Sequence, residues 1–343
     1  MNLAVTFPSD SDYDKDTWNL LAGFWHPVAR VEDVRPKELT SAHLLGVPLV
    51  LYHTSIGLAV ATDICPHRGA RLSKGWMKGD SLVCPYHGLE FDSSGQCERV
   101  PASEPHRDNC DSIRLETLSW AEKYGIIWVC LSGEPAIDLP NWAQLSDDTY
   151  QVAPMDSAVW DASLGRHAEN FNDVAHLSFI HAGTFGNPND TLIERYQVEK
   201  TDTGLNRTFT YNQLDRDTFE DKSGKVTPMT YGYKYTYPFS SELCIRNPDA
   251  QNLVIFDCIC PIDPTTSKIF ITLARDYDHD QPVADLLEFQ TAVNAEDKGV
   301  VESQLPKLVP LHPRREKHIA ADAWSMEFRS GFVRLGLSRT TGI

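Results

Sequence analysis

The sequence predicts an α+β protein, in which a small all-β domain is followed by a domain of antiparallel sheet with covering helices. Two observations predict this order. Short β-rich runs broken by Gly, Pro, Asp and Ser occupy residues 28–131, and longer β-type runs alternate with helical patterns after residue 133. A turn-rich stretch that contains Gly133 and Pro135 separates the two regions. We therefore expect one domain at residues 20–133 and a second at residues 134–343, with residues 1–19 packing on the second.

Each predicted element rests on a local pattern. The strand candidates of the first domain are residues 28–34, 48–53, 58–62 and 125–131, and those of the second are residues 231–237, 253–259 and 268–274. Helices are predicted over residues 166–181, 283–305 and 320–335. The last helix carries an apolar stripe at spacings of three or four, formed by Ala321, Trp324, Phe328, Phe332 and Leu335. We interpret that stripe as core packing.

Composition and charge restrict the classes of partner. Hydrophobic residues make up 41% and charged residues 23% of the 343 residues, the balance of a folded globular protein. With 31 Lys and Arg against 48 Asp and Glu, the net charge of -17 argues against nucleic acid or an anionic membrane as the main partner. The apolar runs fall short of the roughly 20 residues that a membrane helix needs, and no secretory signal is visible. We therefore expect a cytoplasmic protein with no nucleic-acid or membrane partner.

Two short segments each offer one thiol and one imidazole: CPHRG at residues 65–69 and CPYHG at residues 84–88. Such a set can hold one tetrahedral zinc ion, or a 2Fe-2S cluster in which two thiolates bind one iron and two imidazoles bind the other. Zinc fingers pair Cys with Cys and His with His, whereas each segment here supplies a mixed pair, which favours the cluster over zinc. The predicted cluster ligands are Cys65, His67, Cys84 and His87.

The remaining cysteines show no matching pattern. Eight cysteines in a chain of this length are too few for a disulfide scaffold, so paired Cys and His are better read as metal ligands. We interpret the other six as structural thiols: Cys97, Cys110, Cys130, Cys244, Cys258 and Cys260.

A second set of possible metal ligands lies in residues 169–181, ENFNDVAHLSFIH. His176 and His181 are five positions apart, and Asp173 precedes the first of them by three. Five residues of regular helix turn through about 140°, so the two imidazoles could share a metal only if the helix ends or bulges between them. We therefore predict an irregularity near residues 178–180. On their own, these histidines could also be structural core residues.

At these two sets of residues the sequence resembles the Rieske non-haem iron oxygenase family. The likeness extends over FWHPVA at residues 24–29, both Cys/His segments, residues 169–188 and residues 296–306. It looks closest to the small oxygenases that include methylxanthine N-demethylases, vanillate-type O-demethylases and saxitoxin-pathway hydroxylases. The resemblance implies a Rieske 2Fe-2S domain followed by a catalytic domain of helix-grip, START-like fold. One departure is Leu89, where the family commonly has tryptophan, which removes an aromatic side chain from beside the cluster.

The resemblance also implies a mononuclear iron site. His176 and His181 would be two ligands of Fe(II), and a carboxylate from elsewhere would complete the triad while leaving positions open for O₂ and substrate. Asp297 occupies the ligand position of the family's C-terminal helix motif. Glu296 and Glu302 are the competing candidates.

Two further residues are implied to be catalytic. In the family, the aspartate that matches Asp173 bridges a Rieske histidine of one subunit to an iron-ligating histidine of its neighbour. The resemblance therefore implies that Asp173 links the two metal centres across a subunit interface. Asn170 is near this iron in similar enzymes, and capping of the helix is the alternative role.

The implied reaction is hydroxylation or oxidative demethylation of a small organic molecule by O₂ at the mononuclear iron. Electrons would come from NAD(P)H through a separate reductase or ferredoxin, because the chain has no Gly-x-Gly-x-x-Gly nucleotide-binding fingerprint. The implied assembly is a homotrimer or homohexamer in which each active site uses its neighbour's cluster. Two other functions remain open, a Rieske-type electron carrier and a hydrophobic-ligand-binding protein without oxygenase activity. Pocket residues are expected mainly from residues 182–260, where no motif identifies the substrate.

Overall fold

The computed structural model of the chain describes residues 5–102, 110–215 and 225–343. The chain divides into two compact units, Met1–Leu139 with Cys260–Asp263, and Pro140–Ile259 with Pro264–Ile343. Helices and strands are numbered in chain order through both units. Among the described residues, no helix is both long enough and apolar enough to span a bilayer.

The first unit is built from three small antiparallel sheets and a short helix. Its elements are α1 (Lys15–Leu21), β1 (His26–Arg30), β2 (Leu39–Leu44), β3 (Val47–Thr54), β4 (Gly57–Thr62), β5 (Trp76–Lys78), β6 (Ser81–Val83), β7 (Glu90–Phe91), β8 (Cys97–Arg99), β9 (Ser119–Lys123) and β10 (Ile126–Cys130). The sheets have the strand orders β1-β10-β9, β2-β3-β4 and β5-β6-β7-β8. Strand β1 is shorter than the run predicted at residues 28–34, because the chain turns into a 3₁₀ helix at Val31–Asp33.

An apolar core supports the connections that join β4 to β5 and β6 to β7. Tyr52, Leu82 and Phe91 are fully buried in it, and such aromatic and branched side chains pack well on a pleated surface. The chain passes very close to itself at Gly75, where a Cβ atom would lie 1.9 Å from the carbonyl oxygen of Val83. Only glycine allows this approach, which fixes the first connection against the start of the second.

The second unit is one large sheet of antiparallel pairs with helices. Its elements are β11 (Gln151–Pro154), β12 (Ala158–Trp160), α2 (Leu164–Phe171), α3 (Leu177–Ile180), β13 (Glu199–Lys200), β14 (Gly204–Asp215), β15 (Lys225–Thr236), β16 (Ser240–Arg246), β17 (Asn252–Asp263), β18 (Thr266–Arg275), α4 (Val283–Ser303) and α5 (Ala323–Arg334). The strand order is β11-β18-β17-β16-β15-β14-β13, and β12 also pairs with β18. The strands predicted at residues 253–259 and 268–274 lie within β17 and β18, and the one at 231–237 runs one residue past β15. The helices predicted at residues 283–305 and 320–335 correspond to α4 and α5, which are both shorter.

Strand β15 and helix α5 fill much of the core of the second unit. Tyr231, Tyr233 and Tyr235 alternate along β15 and point to its buried face, as the period of two requires. From α5, the rings of Trp324 and Phe328 lie 5.4 and 5.5 Å from that of Tyr235. Both side chains are at most 1% exposed. The interpretation of the apolar stripe as core packing is therefore confirmed.

The single helix predicted over residues 166–181 is wrong. The segment forms α2, a turn and the short α3. Polar side chains end the first helix: Asn172 Nδ2 donates to a carbonyl of α2 at 2.9 Å, and Asp173 Oδ2 accepts the His176 backbone N–H at 2.8 Å. An irregularity does lie near residues 178–180, because α3 ends at Ile180 and the chain continues as a 3₁₀ helix from His181. The larger break, between α2 and α3, was not predicted.

Candidate metal centres

Two loops of the first unit carry the predicted cluster ligands. In the first loop, Cys65 N–H donates to the Ala70 carbonyl and Gly69 N–H donates to the Cys65 carbonyl, both at 2.8 Å. In the second, Gly88 N–H donates to the Cys84 carbonyl at 3.0 Å, and Cys84 N–H donates to the carbonyl five residues on at 2.9 Å. The two glycines have φ values of 71° and 72°, a left-handed conformation that glycine adopts without strain. The two loops therefore have turns of the same backbone geometry.

The four side chains divide into a buried sulfur pair and an exposed nitrogen pair. Cys65 and Cys84 are 2% and 1% exposed. Burial raises the pKa of Cys65 to about 11, and the neighbouring Cys84 thiol adds to the effect. His67 and His87 are exposed, and their ring centroids lie 4.7 Å apart. This separation of donors fits a 2Fe-2S cluster with differently ligated irons, whereas one zinc ion would need all four donors around a single point.

The second set of donors comes from α3 and α4. His176 Nε2 and His181 Nε2 lie 3.2 Å apart, and Asp297 Oδ1 lies 3.5 and 3.4 Å from them. Within residues 5–102, 110–215 and 225–343, this is the one group of three or more His, Cys, Asp or Glu side chains whose donor atoms all lie within 4.8 Å of one another. Two imidazole nitrogens and one carboxylate fit a facial triad for Fe(II), which keeps coordination positions open.

Two carboxylates outside the triad orient its imidazoles. Asp173 Oδ2 lies 2.9 Å from His176 Nδ1, and Glu296 Oε2 lies 2.8 Å from His181 Nδ1. A carboxylate at Nδ1 favours the tautomer in which Nε2 is free to bind a metal. Glu296 therefore orients the His181 imidazole and is not placed as a ligand itself. The sequence could not reveal this role, because it depends on the rotation of α4.

The protonation states of two residues at this site favour metal binding. Burial holds the pKa of His181 below its usual range, although Asp297 and Glu296 act in the opposite direction. Burial would raise the pKa of Asp173, but hydrogen bonds from His176 outweigh it and hold that pKa below its usual range. The imidazole of His181 is thus kept neutral and the carboxylate of Asp173 ionised, which are the forms that a metal ligand and its support require.

Asn170 and Glu302, two further candidates from the sequence, have different surroundings. Asn170 Nδ2 donates to Asp297 Oδ1 at 3.1 Å. The caps of α2 are Ser163 and Asn172, so the alternative role of Asn170 as a helix cap is not supported. Glu302 faces away, and its Oε1 accepts the backbone N–H of Asp161 at 2.8 Å.

A cavity of about 1080 Å³, including its open mouth, reaches the triad from the inner face of the sheet. Much of its wall is apolar or aromatic, with Phe171, Leu177, Phe185, Met229, Tyr231, Tyr233, Leu243, Ile245, Leu253, Ile255, Tyr277, Leu286, Phe289 and Val293. Besides the triad and the tyrosine hydroxyls, its polar lining groups are carboxamides: Asn170, Gln213, Asn247, Gln251, Gln290 and Asn294. The expectation that the lining comes mainly from residues 182–260 covers only part of it, because α4 supplies a large share.

A buried arginine, which no sequence motif marks, supports the turn before His176. Arg207 is 4% exposed and donates through Nη2 to the Asn172 carbonyl. Its guanidinium carbon lies 4.1 Å from the ring centroid of Tyr233, a residue of the cavity wall. In the part of the chain that the structure describes, no carboxylate pairs with this guanidinium, so aromatic rings provide most of its surroundings.

Comparison with known proteins gives the same division of the chain. Residues 24–119 match the Rieske [2Fe-2S] domain, and residues 160–336 match the vanillate O-demethylase oxygenase C-terminal domain. The methylxanthine N1-demethylase NdmA of Pseudomonas putida is 32% identical over 92% of this chain and 89% of the relative. The methylxanthine N3-demethylase NdmB of the same organism is 30% identical over 94% and 91%.

A solved structure shares the fold. The structure of Pseudomonas putida CBB5 NdmA with caffeine superposes with a TM-score of 0.79 at 29% identity, covering 92% of this chain and 91% of that chain. Fold, donor sets and relatives together define an O₂-dependent oxidoreductase. The chain belongs to the Rieske oxygenase family, with a Rieske 2Fe-2S domain and a vanillate O-demethylase-type oxygenase domain.

The family settles the chemistry at the level of reaction type. The protein carries a 2Fe-2S cluster and uses mononuclear iron and O₂ to hydroxylate or oxidatively demethylate a small organic molecule, with electrons supplied by a reductase or ferredoxin. The predictions of fold class, family, cofactors and enzyme class are confirmed. An electron carrier and a ligand-binding protein without oxygenase activity are not favoured.

Proposed function

We propose that this oxygenase demethylates an uncharged, planar small molecule in the cavity beside the triad. The observation that carries the proposal is the cavity wall, which joins apolar side chains to neutral carboxamides. A buried charge on the substrate would need an opposite charge in the wall, and no lysine or arginine is found among the described residues that line it. Carboxamides can instead donate to and accept from the ring nitrogens and carbonyl groups of a neutral heterocycle.

The names of the relatives support demethylation over plain hydroxylation. Two of them are methylxanthine demethylases, which act on N-methyl groups of an uncharged heterocycle. Oxidation of an N-methyl C–H bond gives a hydroxymethyl group on nitrogen. That group loses formaldehyde and leaves an N–H, so the net reaction is demethylation. An O-methyl group would react in the same way.

In this proposal, His176, His181 and Asp297 hold the iron, which when bound supplies the point at which O₂ is reduced and the substrate oxidised. Asp173 holds the tautomer of His176, as its contact at Nδ1 supports. Asn170 limits rotation of the Asp297 carboxylate through its hydrogen bond to Oδ1. The apolar cavity wall excludes water around the methyl group that reacts.

We also assign the four loop ligands to the cluster. Cys65 and Cys84 would bind the inner iron, because their thiols are buried. His67 and His87 would bind the outer iron, because their rings are exposed. Exposed imidazoles place the outer iron where an electron partner or a second subunit can approach it.

A substrate screen tests the proposed function. Iron-loaded protein with a reductase that supports it is given uncharged N-methyl and O-methyl heteroaromatics, and matched carboxylates that carry the same methyl group. Uncharged compounds are expected to release formaldehyde and demethylated product only in the presence of O₂, and the carboxylates to react at least about tenfold more slowly. Faster turnover of the carboxylates, or no O₂-dependent product from either series, would contradict the proposal.

A pair of variants on α4 tests the role of the carboxamides. Gln290 is buried in the wall, whereas Thr291 is exposed and bonds to the backbone of its own helix. Gln290→Leu is expected to lower kcat/KM for an uncharged heterocycle about tenfold by leaving a substrate group unpaired, with iron content unchanged. The control Thr291→Val is expected to behave as the wild type. Equal kinetics for both variants would remove the carboxamide argument.

We further propose that the subunits form a head-to-tail homotrimer, or a hexamer of two such rings, in which Asp173 links the centres. Its side chain is 26% exposed and lines a surface hollow with Arg166, Glu316 and Lys317. The family supports this arrangement, in which a neighbour's exposed Rieske histidine meets that surface.

Light scattering of the purified protein should give three or six chains. Asp173→Asn should retain both metal centres but slow single-turnover electron transfer about 10–100-fold, and a monomer with full activity would contradict the arrangement.

A further inference from the structure

Two cysteines outside the predicted cluster ligands lie side by side in the Rieske domain. The sulfur atoms of Cys97 and Cys110 are 2.8 Å apart. Cys97 opens strand β8, and Cys110 opens a 3₁₀ helix that ends at Ser112. The first is buried and the second is half-buried. The two thiols therefore already have the side-chain approach that a disulfide requires, without a change in the fold.

The backbone around the pair is tied together by hydrogen bonds. Cys97 N–H donates to the Ile113 carbonyl at 3.1 Å, and Ile113 N–H donates to the Cys110 carbonyl at 3.0 Å. Gln96 Nε2 also donates to the Cys110 carbonyl at 3.0 Å. These contacts hold the backbone of the two cysteines close together, so the sulfurs can meet without a rearrangement of the chain.

We propose that Cys97 and Cys110 are a peroxide-sensitive modification site that closes an intramolecular disulfide within the Rieske domain. Cys110, which is the more exposed, reacts first: hydrogen peroxide transfers an OH group to its sulfur, giving a sulfenic acid and water. The Cys97 sulfur then attacks the Cys110 sulfur, and the Cys97 proton passes to the hydroxyl that leaves as water. Two thiols and one peroxide give one disulfide and two waters. This inference goes beyond the proposed function and does not rest on it.

The order of the two steps follows from burial. Burial raises the pKa of Cys97 to about 12, and the neighbouring Cys110 thiol adds to the effect. Cys97 is thus poorly suited to be the first thiol that an oxidant in solution meets, and it is well placed to resolve the sulfenic acid beside it. Hydrogen peroxide is a two-electron reduction product of O₂, the co-substrate of this enzyme, so the oxidant belongs to the chemistry of its surroundings.

The pair lies close to the cluster loops. Cys97 belongs to the same buried apolar group as Cys65 and Cys84, and Cys110 packs against that group. A disulfide there ties β8 to the following 3₁₀ helix behind the cluster ligands. The disulfide would then stabilise the part of the domain that supports the cluster.

Thiol mapping of the intact holoprotein tests the proposal. The protein is exposed to hydrogen peroxide, its free thiols are alkylated, and the digest is analysed by mass spectrometry before and after dithiothreitol. A peptide pair joined through Cys97 and Cys110, lighter by two hydrogens and separated by dithiothreitol, is expected while the visible absorption of the cluster persists. This measurement needs no variant, so it does not depend on whether a substitution folds.

Variants sharpen the result. Cys110→Ser and Cys97→Ser are each expected to abolish the linked peptide. Cys244→Ser, which changes another half-buried thiol in the second unit, is expected to leave it unchanged. Full alkylation of both cysteines after peroxide, or oxidation of Cys110 to a sulfinic acid without a link, would overturn the proposal. So would links that include Cys65 or Cys84, because they would arise from loss of the cluster.

Discussion

The two metal-binding regions of this oxygenase are supported in different ways. In the Rieske loops, backbone hydrogen bonds and two left-handed glycines shape the turns that carry Cys65 and Cys84. In the mononuclear site, side chains from separate elements do the same work, with Asp173 and Glu296 orienting one imidazole each. The first region is local in sequence, whereas the second requires α3 and α4 to meet in one register.

This difference predicts how each region fails. A site shaped by the backbone should lose stability when its glycines are changed, and should tolerate changes of polar neighbours. A site shaped by carboxylates should lose metal affinity when those groups are neutralised, while the surrounding fold persists.

Removal of the Asp297 carboxylate should abolish iron binding at the mononuclear site and leave the cluster intact. In Asp297→Ala, two imidazoles remain without the anionic ligand, so iron should fall from about three to about two per chain, with about two sulfides retained. Product formation should fall below detection, while the visible spectrum of the cluster is unchanged. Metal analysis and absorption on anaerobically purified protein measure both quantities.

The control for this experiment is on the same helix. Glu302→Gln changes a carboxylate that contacts Lys298 and the backbone of Asp161, away from the triad. It should retain about three irons per chain. Loss of iron in this variant, together with retention in Asp297→Ala, would reverse the assignment of the third ligand.

Acid should destabilise the first unit through a buried histidine that binds no metal. His26 is fully buried at the start of β1, its Nε2 lies 2.8 Å from the Leu21 carbonyl oxygen, and burial lowers its pKa to about 4. The unfolded chain takes up this proton near pH 6.5, so stability is fully present above that pH and is lost as the pH falls toward 4. The loss should be about 3 kcal/mol.

Urea unfolding of the metal-free chain at several pH values, followed by tryptophan fluorescence, measures this loss. His26→Gln should remove the slope between pH 6.5 and 4. His181→Gln, in the second unit, should leave the His26 contribution to the slope in place. An unchanged slope in His26→Gln would show that another group titrates.

Removal of the negative charge beside His181 Nδ1 should weaken iron binding without abolishing it. Glu296→Gln replaces the acceptor at Nδ1 with an amide, so the tautomer that presents Nε2 is less favoured, and iron affinity should fall about 10–100-fold. Titration of the metal-free site with Fe(II) under anaerobic conditions measures it. Glu288→Gln, an exposed change on the same helix, should bind as the wild type does.

The same contrast explains what the sequence could predict. The cluster ligands were predictable because their motif is local, and the thiol and imidazole of each loop lie within four residues. The histidines of the triad were also visible, but the break between α2 and α3 was not predicted, because it depends on side-chain contacts of Asn172 and Asp173. Such competition between side chain and backbone is not decided by periodicity.

Other features could not be predicted because they arise from tertiary register. The resemblance favoured Asp297 over the adjacent Glu296 as the third ligand, but the contact of Glu296 with His181 Nδ1 depends on the rotation of α4 and could not be predicted. Arg207 lies in an ordinary strand pattern, and its contact with the Asn172 carbonyl joins elements far apart in the chain. The approach of Cys97 to Cys110 is of the same kind, since nothing in their spacing distinguishes them from the other structural thiols.

The smallest expected effects come from the glycines of the Rieske loops. Gly69→Ala and Gly88→Ala each place a side chain on a left-handed residue, at a cost of about 1–2 kcal/mol. A Cβ at Gly88 would also lie 3.1 Å from Cγ of Pro101, whereas nothing lies within 4 Å of one at Gly69. Gly88→Ala should therefore lower the temperature at which the cluster absorption is lost more than Gly69→Ala does.

A variant of a third glycine distinguishes the effect of backbone strain from the effect on the cluster. Gly125 has a φ of 69° and open space around its Cβ position, but it lies in the turn between β9 and β10 and not in a cluster loop. Gly125→Ala should cost a similar free energy of unfolding while the cluster survives at temperatures where Gly88→Ala has lost it. If all three variants lose the cluster together with the fold, the loops are no more than part of one cooperative domain, and backbone shaping gives the cluster no separate protection.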